Sequence, residues 1–180
     1  MKKLILAIPL LILLNCSFGQ KSGVGGFNLG AGLAFGSEIK NIGFNVLASY
    51  DLTKNFRIAP NVTYFLPLHR QTDSSSIKTK LCELNIDGHY LFTIKENKLD
   101  IYPVAGINMA FLTYSGTIND TSHTENPSFD FKNTDTEFGV NFGMGGNYHF
   151  TGHLGAFLEL KYAVSAFNQF VIKAGLSCRF

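Results

Sequence analysis

The strongest constraint in this chain is a two-residue period. The last run shows it most clearly. Phe170, Ile172, Ala174, Leu176, Cys178 and Phe180 fall on one side of an extended backbone, and Val171, Lys173, Gly175, Ser177 and Arg179 on the other. Successive side chains of a strand point to opposite faces, so this alternation reads as a strand with one apolar and one polar face. After Gln20 no stretch sustains a helical period.

The same pattern recurs upstream. Phe27 to Phe35, Ile42 to Tyr50, Phe56 to Leu66, Cys82 to Phe92, Phe138 to Phe150 and Ala156 to Tyr162 each place apolar residues at every second position. The run from Ile101 to Leu112 is apolar on both faces. Gly106-Ile107-Asn108 mirrors Gly139-Val140-Asn141, which assigns Ile101, Ala105, Ile107, Met109 and Phe111 to the apolar face. That makes eight strands. Pro60 and Pro103 remove ladder donors within two of them, and each is expected to mark a bulge or bend.

The connections suggest the topology. Thr53–Asn55, Thr93–Leu99 and Thr151–His153 are short, whereas Pro67–Lys78 and Ser115–Thr136 are long. Short and long connections therefore segregate to opposite ends. That is the pattern of an all-β, eight-stranded antiparallel up-and-down transmembrane barrel with short periplasmic turns and longer extracellular loops. It puts both termini in the periplasm.

Alternation alone also fits a soluble barrel whose apolar face lines the lumen. Three features favour apolar-outward. Aromatic residues collect near both strand ends: Tyr50, Phe56, Tyr90, Phe92, Tyr148, Phe150 and Phe180 at one, and Phe35, Tyr64, Phe111, Phe138 and Tyr162 at the other. Such girdles mark a bilayer interface. The polar face is built of Gly, Asn, Ser and Thr, which suits an eight-stranded lumen just wide enough for side chains. Lastly, the mid-strand charges Asp51, Arg57, Glu83, Asp87, Glu159, Lys161, Lys173 and Arg179 all lie on the polar face, four acids and four bases. Enclosed charges must be paired or hydrogen-bonded, and an equal count suits a self-neutralising network. A basic residue at mid-depth on the lipid face would cost roughly 2–4 kcal/mol. Lys78 and Lys80 share that parity, but they sit at a strand end and can snorkel.

The N-terminus has the form of an export signal. Lys2 and Lys3 precede the apolar run Leu4–Leu14, too short to span a bilayer as a helix, and Ser17-Phe18-Gly19 is a small-x-small cleavage site. Residues 1–19 read as a cleaved signal peptide and 20–180 as the barrel domain. Cys16 leaves lipidation as the alternative, although Asn15 before it is large for such a site. Without Lys2 and Lys3 the 15 basic residues fall to the number of acids, 13. A neutral chain gives nucleic-acid binding no electrostatic support.

These segments resemble the small outer-membrane β-barrel domain proteins of Gram-negative bacteria, of which porin-family barrels are an example. The resemblance rests on Ile58-Ala59-Pro60-Asn61-Val62-Thr63-Tyr64-Phe65, Glu83-Leu84-Asn85, Tyr102-Pro103-Val104-Ala105-Gly106-Ile107-Asn108, Phe138-Gly139-Val140-Asn141-Phe142-Gly143, Glu159-Leu160-Lys161-Tyr162 and the end from Gln169. All are barrel-building segments, so the resemblance implies fold and location rather than an activity. It also implies that Phe170, Ile172, Leu176 and the terminal Phe180 form the signal read by the barrel-assembly machinery.

Candidate chemistry is sparse. His89 and His149 face the lumen on strands that are not neighbours, and a hydrogen-bonded lumen histidine is expected for each. His69, His123 and His153 fall in connections. Ser122, His123 and Glu125 crowd one loop, but a working triad needs fixed geometry that a flexible loop does not give. The acids of the same loop lack calcium-loop spacing. Gly143-x-Gly145-Gly146 precedes no helix, so it is no phosphate cradle. Cys82 and Cys178 lie on strands expected at opposite sides of the barrel, which excludes a bridge between them. No enzyme and no cofactor is expected. The leading expectation is a structural or interaction barrel embedded in outer-membrane lipid, contacting envelope partners through its extracellular loops. The alternatives are a narrow pore for small solutes and, more remotely, a lipid-modifying enzyme.

Overall fold

The computed structural model describes residues 25–72, 75–94, 98–119 and 128–180. The export signal, Cys16, and the group Ser122, His123 and Glu125 lie outside the described residues. Nine strands follow one another: β1 (Phe27–Gly36), β2 (Asn41–Asp51), β3 (Phe56–Thr72), β4 (Ser75–Tyr90), β5 (Phe92–Ile94), β6 (Leu99–Asn119), β7 (Ser128–His149), β8 (Leu154–Val164) and β9 (Gln169–Arg179). All pairings are antiparallel; consecutive strands pair except that β4 pairs with β6, and β1 pairs with β9, from Asn28↔Arg179 to Gly36↔Val171. β5 is the tail of β4. After Leu91 it resumes pairing with β6 in unchanged register, His89↔Val104 giving way to Phe92↔Ile101. The structure is therefore a closed barrel of eight staves.

Both prolines sit in register rather than in bulges. Pro60 pairs opposite Ile86 and Pro103 opposite Met144 without a shift. The missing N–H shows up as a gap in the ladder on the other side. Between β2 and β3 the pairs skip from Leu47↔Asn61 to Tyr50↔Ile58, and the β6 ladder skips Pro103 where β4 yields to β5. A proline costs one ladder bond toward one neighbour, and here the flanking pairs hold the register. The one register shift in β3 falls between Phe65 and Leu68, around Pro67.

The two long connections are mostly strand. β3 and β4 stay paired out to Thr72↔Ser75, and β6 and β7 to Asn119↔Ser128. Polarity suggested loops, but a ladder satisfies backbone groups whatever the side chains are, and the Thr-rich stretches favour extended backbone. With the β4–β6 pairing these four staves rise past β1, β2, β8 and β9 as a wall over one side of the barrel.

Facing inverts along this wall. Within the barrel the outward residues are large and apolar, such as Ile58, Ile86, Ile107 and Phe142, while the inward ones are buried and polar. Ile101, Ala105 and Ile107 point outward, with Tyr102, Val104 and Asn108 inward. Tyr64, Cys82 and Phe111 form the last mainly apolar outward row. Beyond it, the outward parity carries Lys80, Lys78, Thr113, Ser115, Lys132 and Thr134. The inward parity carries Leu68, Ile77, Tyr114 and Phe131. At the turn end, aromatic neighbours include Phe27–Phe180, Tyr90–Phe92 and Tyr148–Phe150, with ring centroids 6.3, 5.1 and 5.5 Å apart.

Candidate functional site

The lumen is filled in tiers, each fixed by inward positions of different staves. At the turn end Asp51 is a hub. Its Oδ1 accepts from Arg57 Nε at 2.6 Å and its Oδ2 from Arg179 Nη2 at 2.9 Å. β2 and β3 place Asp51 opposite Arg57, and closure through β9 brings in Arg179. Asp100 accepts from Thr93 Oγ1 at 2.7 Å and lies 2.8 Å from His149 Nε2.

The middle tier joins acids, lysines and amides. Lys173 Nζ donates to Glu159 Oε1 at 2.8 Å and to Asn61 Oδ1 at 3.0 Å. Lys161 Nζ donates to Asp87 Oδ2 at 3.3 Å. Asp87 also accepts from Asn61 and Asn141, both at 2.8 Å. Asn85 Oδ1 accepts from Asn108 at 2.7 Å and Asn141 at 2.9 Å. Each buried charge here is hydrogen-bonded, which offsets part of its desolvation. Gln169 Nε2 donates to Glu83 Oε1 just above.

The upper lumen is apolar. Ala34, Ile39, Phe65, Leu81, Ala110, Leu112 and Val171 form one buried cluster, with Tyr114 and Phe167 packed on it. Phe65, Leu81 and Val171 are fully enclosed. This plug crosses the bore on the loop side of the charges.

All eight charges singled out in the sequence point into the bore, but they do not pair one to one. Asp51 serves two arginines, and Glu83 has an amide partner with no cation within 4.0 Å among the described residues. Equal counts do not specify pairing, because height along each stave decides which side chains meet. His149 is hydrogen-bonded as expected, but His89 is not. His89 stacks on Tyr102, with centroids 4.4 Å apart and planes 13° apart, leaving Nε2 3.7 Å from Glu159, beyond hydrogen-bond reach. The sequence reading missed Asp100, Gln169, the linked asparagines and the plug. The plug had a signal: Phe65, Leu81, Leu112 and Val171 are apolar residues at inward parity. Cys82 is a free thiol on β4, four staves from β9 and its Cys178. Among the described residues no cluster of metal-ligating side chains occurs.

A closed barrel with an apolar exterior and an ionic interior is built for a bilayer, and residues 8–180 match the model of the outer membrane protein beta-barrel domain. The chain belongs to that family. Membership locates it in the bacterial outer membrane. Solved structures agree on the fold. The N-terminal barrel domain of Pseudomonas aeruginosa OprF superposes with TM-score 0.62 at 15% identity, covering 88% of this chain and 100% of that one. A major outer membrane protein of Thermus thermophilus gives 0.64 at 13% identity, covering 87% and 100%. Ail, the attachment invasion locus protein of Yersinia pestis, gives 0.59 at 12% identity, covering 89% and 100%. At such identities the likeness is one of fold alone. No curated protein matches the chain.

Proposed function

We propose that this family member is a closed interaction barrel rather than a channel or an enzyme. Both termini and the short turns face the periplasm, and the four-stranded wall stands outside the cell. The apolar cluster around Phe65, Leu81 and Val171 carries the reading. An ion crossing the bore would pass the paired charges and then a dry constriction, where it would lose hydration with no polar group in exchange. The wall supplies the interaction surface. β7 pairs with β8 from Val140 onward, so among the described residues Ser128–Gly139 has β6 on one side and an unpaired edge on the other. Such an edge is a template for an added strand from a protein partner. On the barrel exterior, Phe170, Ile172 and Leu176 present one apolar stripe ending near Phe180, in keeping with recognition by the assembly machinery.

Conductance of the purified barrel in a planar bilayer tests the reading. No steady unitary current is expected at physiological salt. A stable ohmic conductance would instead establish the narrow-pore alternative.

A further inference from the structure

A polar vestibule of about 480 Å³ opens into the turn end of the barrel, below the charge network. Its lining includes Asp51, Lys54, Arg57, Asp100, His149 and Arg179. Donors and acceptors there are out of balance. Each oxygen of Asp51 already accepts from one arginine, and the oxygens of Asp100 are engaged by Thr93 and His149. The donors are not used up. Arg57 has a side chain only 5% exposed, yet it bonds through Nε alone, and its two terminal amino groups meet no acceptor among the described residues. Arg179 Nε is buried without a partner. Lys54 on the rim is exposed and makes no ion pair among the described residues.

The terminal amino groups of Arg57 open into the vestibule, where an oxyanion would gain charge-assisted bonds in place of water. A planar fork of this kind matches two oxygens of one carboxylate or phosphate. The cavity is within the size range of small-molecule sites and far larger than a bare anion. We infer that the vestibule binds a small, soluble polar molecule through a carboxylate or phosphate group, held by the Arg57 fork with Arg179 and Lys54 beside it. The apolar plug makes it a dead-end site reached only from the turn end.

The test is nuclear magnetic resonance of the refolded barrel in maltoside micelles, which carry no phosphate. The arginine Nε–H signals are followed during titration with inorganic phosphate, and separately with acetate, against chloride at matched ionic strength. Saturable shifts of the Arg57 and Arg179 signals with either oxyanion, absent with chloride, are expected. Arg57→Lys keeps the charge but loses the fork, and should weaken binding at least tenfold. Lys54→Glu alters only an exposed rim residue and should also weaken it at least tenfold, which keeps the test decisive should the Arg57 variant fail to fold. Shifts that never saturate, that match chloride, or that survive Lys54→Glu unchanged overturn the inference.

Discussion

Lys173 on β9 and Glu159 on β8 face each other in register, and the lysine Nζ lies 2.8 Å from the carboxylate with both side chains almost wholly enclosed. A pair so placed is held by geometry more than by charge count. Lys173→Met leaves Glu159 buried beside an uncharged side chain. Removing one partner of a buried pair costs about 3–5 kcal/mol. Urea titration in lipid vesicles, read by the heat-modifiable electrophoretic shift, should show that loss. Lys173→Met with Glu159→Met together should regain most of it.

Glu83 gives the opposite expectation. Its carboxyl has Gln169 as donor, its second oxygen is unpartnered, and no cation sits within ion-pair distance among the described residues. Glu83→Gln removes a buried acid that no cation contacts among the described residues, so stability should hold or rise by about 1 kcal/mol. A loss as large as that of Lys173→Met in the same titration would show that Glu83 is ion-paired in the membrane.

Phe65 is the largest enclosed side chain of the plug. Phe65→Ala should cost about 3–5 kcal/mol, as truncation of a packed phenylalanine does. The same urea assay checks this. Val171→Ala, which removes less volume from the same cluster, should cost less.

The seam between β1 and β9 depends on two glycines paired across it, Gly32 and Gly175. A Cβ on Gly175 would lie closer than 3.0 Å to the Ala31 carbonyl oxygen, and one on Gly32 closer than 3.0 Å to that of Ala174. Backbone cannot step aside as a rotamer can. Gly175→Val should therefore exceed the roughly 1–3 kcal/mol typical of overpacking. The yield of folded barrel, judged by the heat-modifiable band, should fall sharply. Normal yield would mean that the seam is looser than drawn.

The inversion of facing locates the bilayer surface near the row of Tyr64, Cys82 and Phe111. Single cysteines introduced into a background with Cys16, Cys82 and Cys178 all replaced by serine test it. Lys78→Cys and Thr113→Cys should react quickly with a membrane-impermeant maleimide in whole cells, and Ile107→Cys should not. Fast labelling at all three positions would contradict the lipid boundary. Labelling of Lys78→Cys only after cell lysis would reverse the proposed orientation.

The architecture was legible because alternation is a local property. Eight apolar stripes, their aromatic ends and the alternating lengths of their connections sufficed for strand number and order. The ambiguous run around Ile107 was resolved by its likeness to the run around Val140. The extent of β3, β4, β6 and β7 was not legible, since pairing beyond the lipid depends on a neighbouring strand rather than on side-chain polarity. The fate of Pro60 and Pro103 was hidden for a similar reason: whether a lost donor shifts the register depends on the ladder around it. In the lumen, parity identified which charges enter the bore. It gave no heights, so Asp51 meeting both Arg57 and Arg179, and Glu83 meeting Gln169, emerge only in three dimensions.

The reversal of facing along β3, β4, β6 and β7 has a mechanical meaning. The same staves obey the rule of a lipid solvent below one row and the rule of water above it. Sliding the barrel toward its turn end would drag Lys80, Thr113 and Lys132 into hydrocarbon, and sliding it toward the wall would strip lipid from Tyr64 and Phe111. Either displacement is opposed on every long stave at once. The protein thus carries its own waterline, and the height at which the wall meets its surroundings is written into the strands rather than left to the thickness of the membrane.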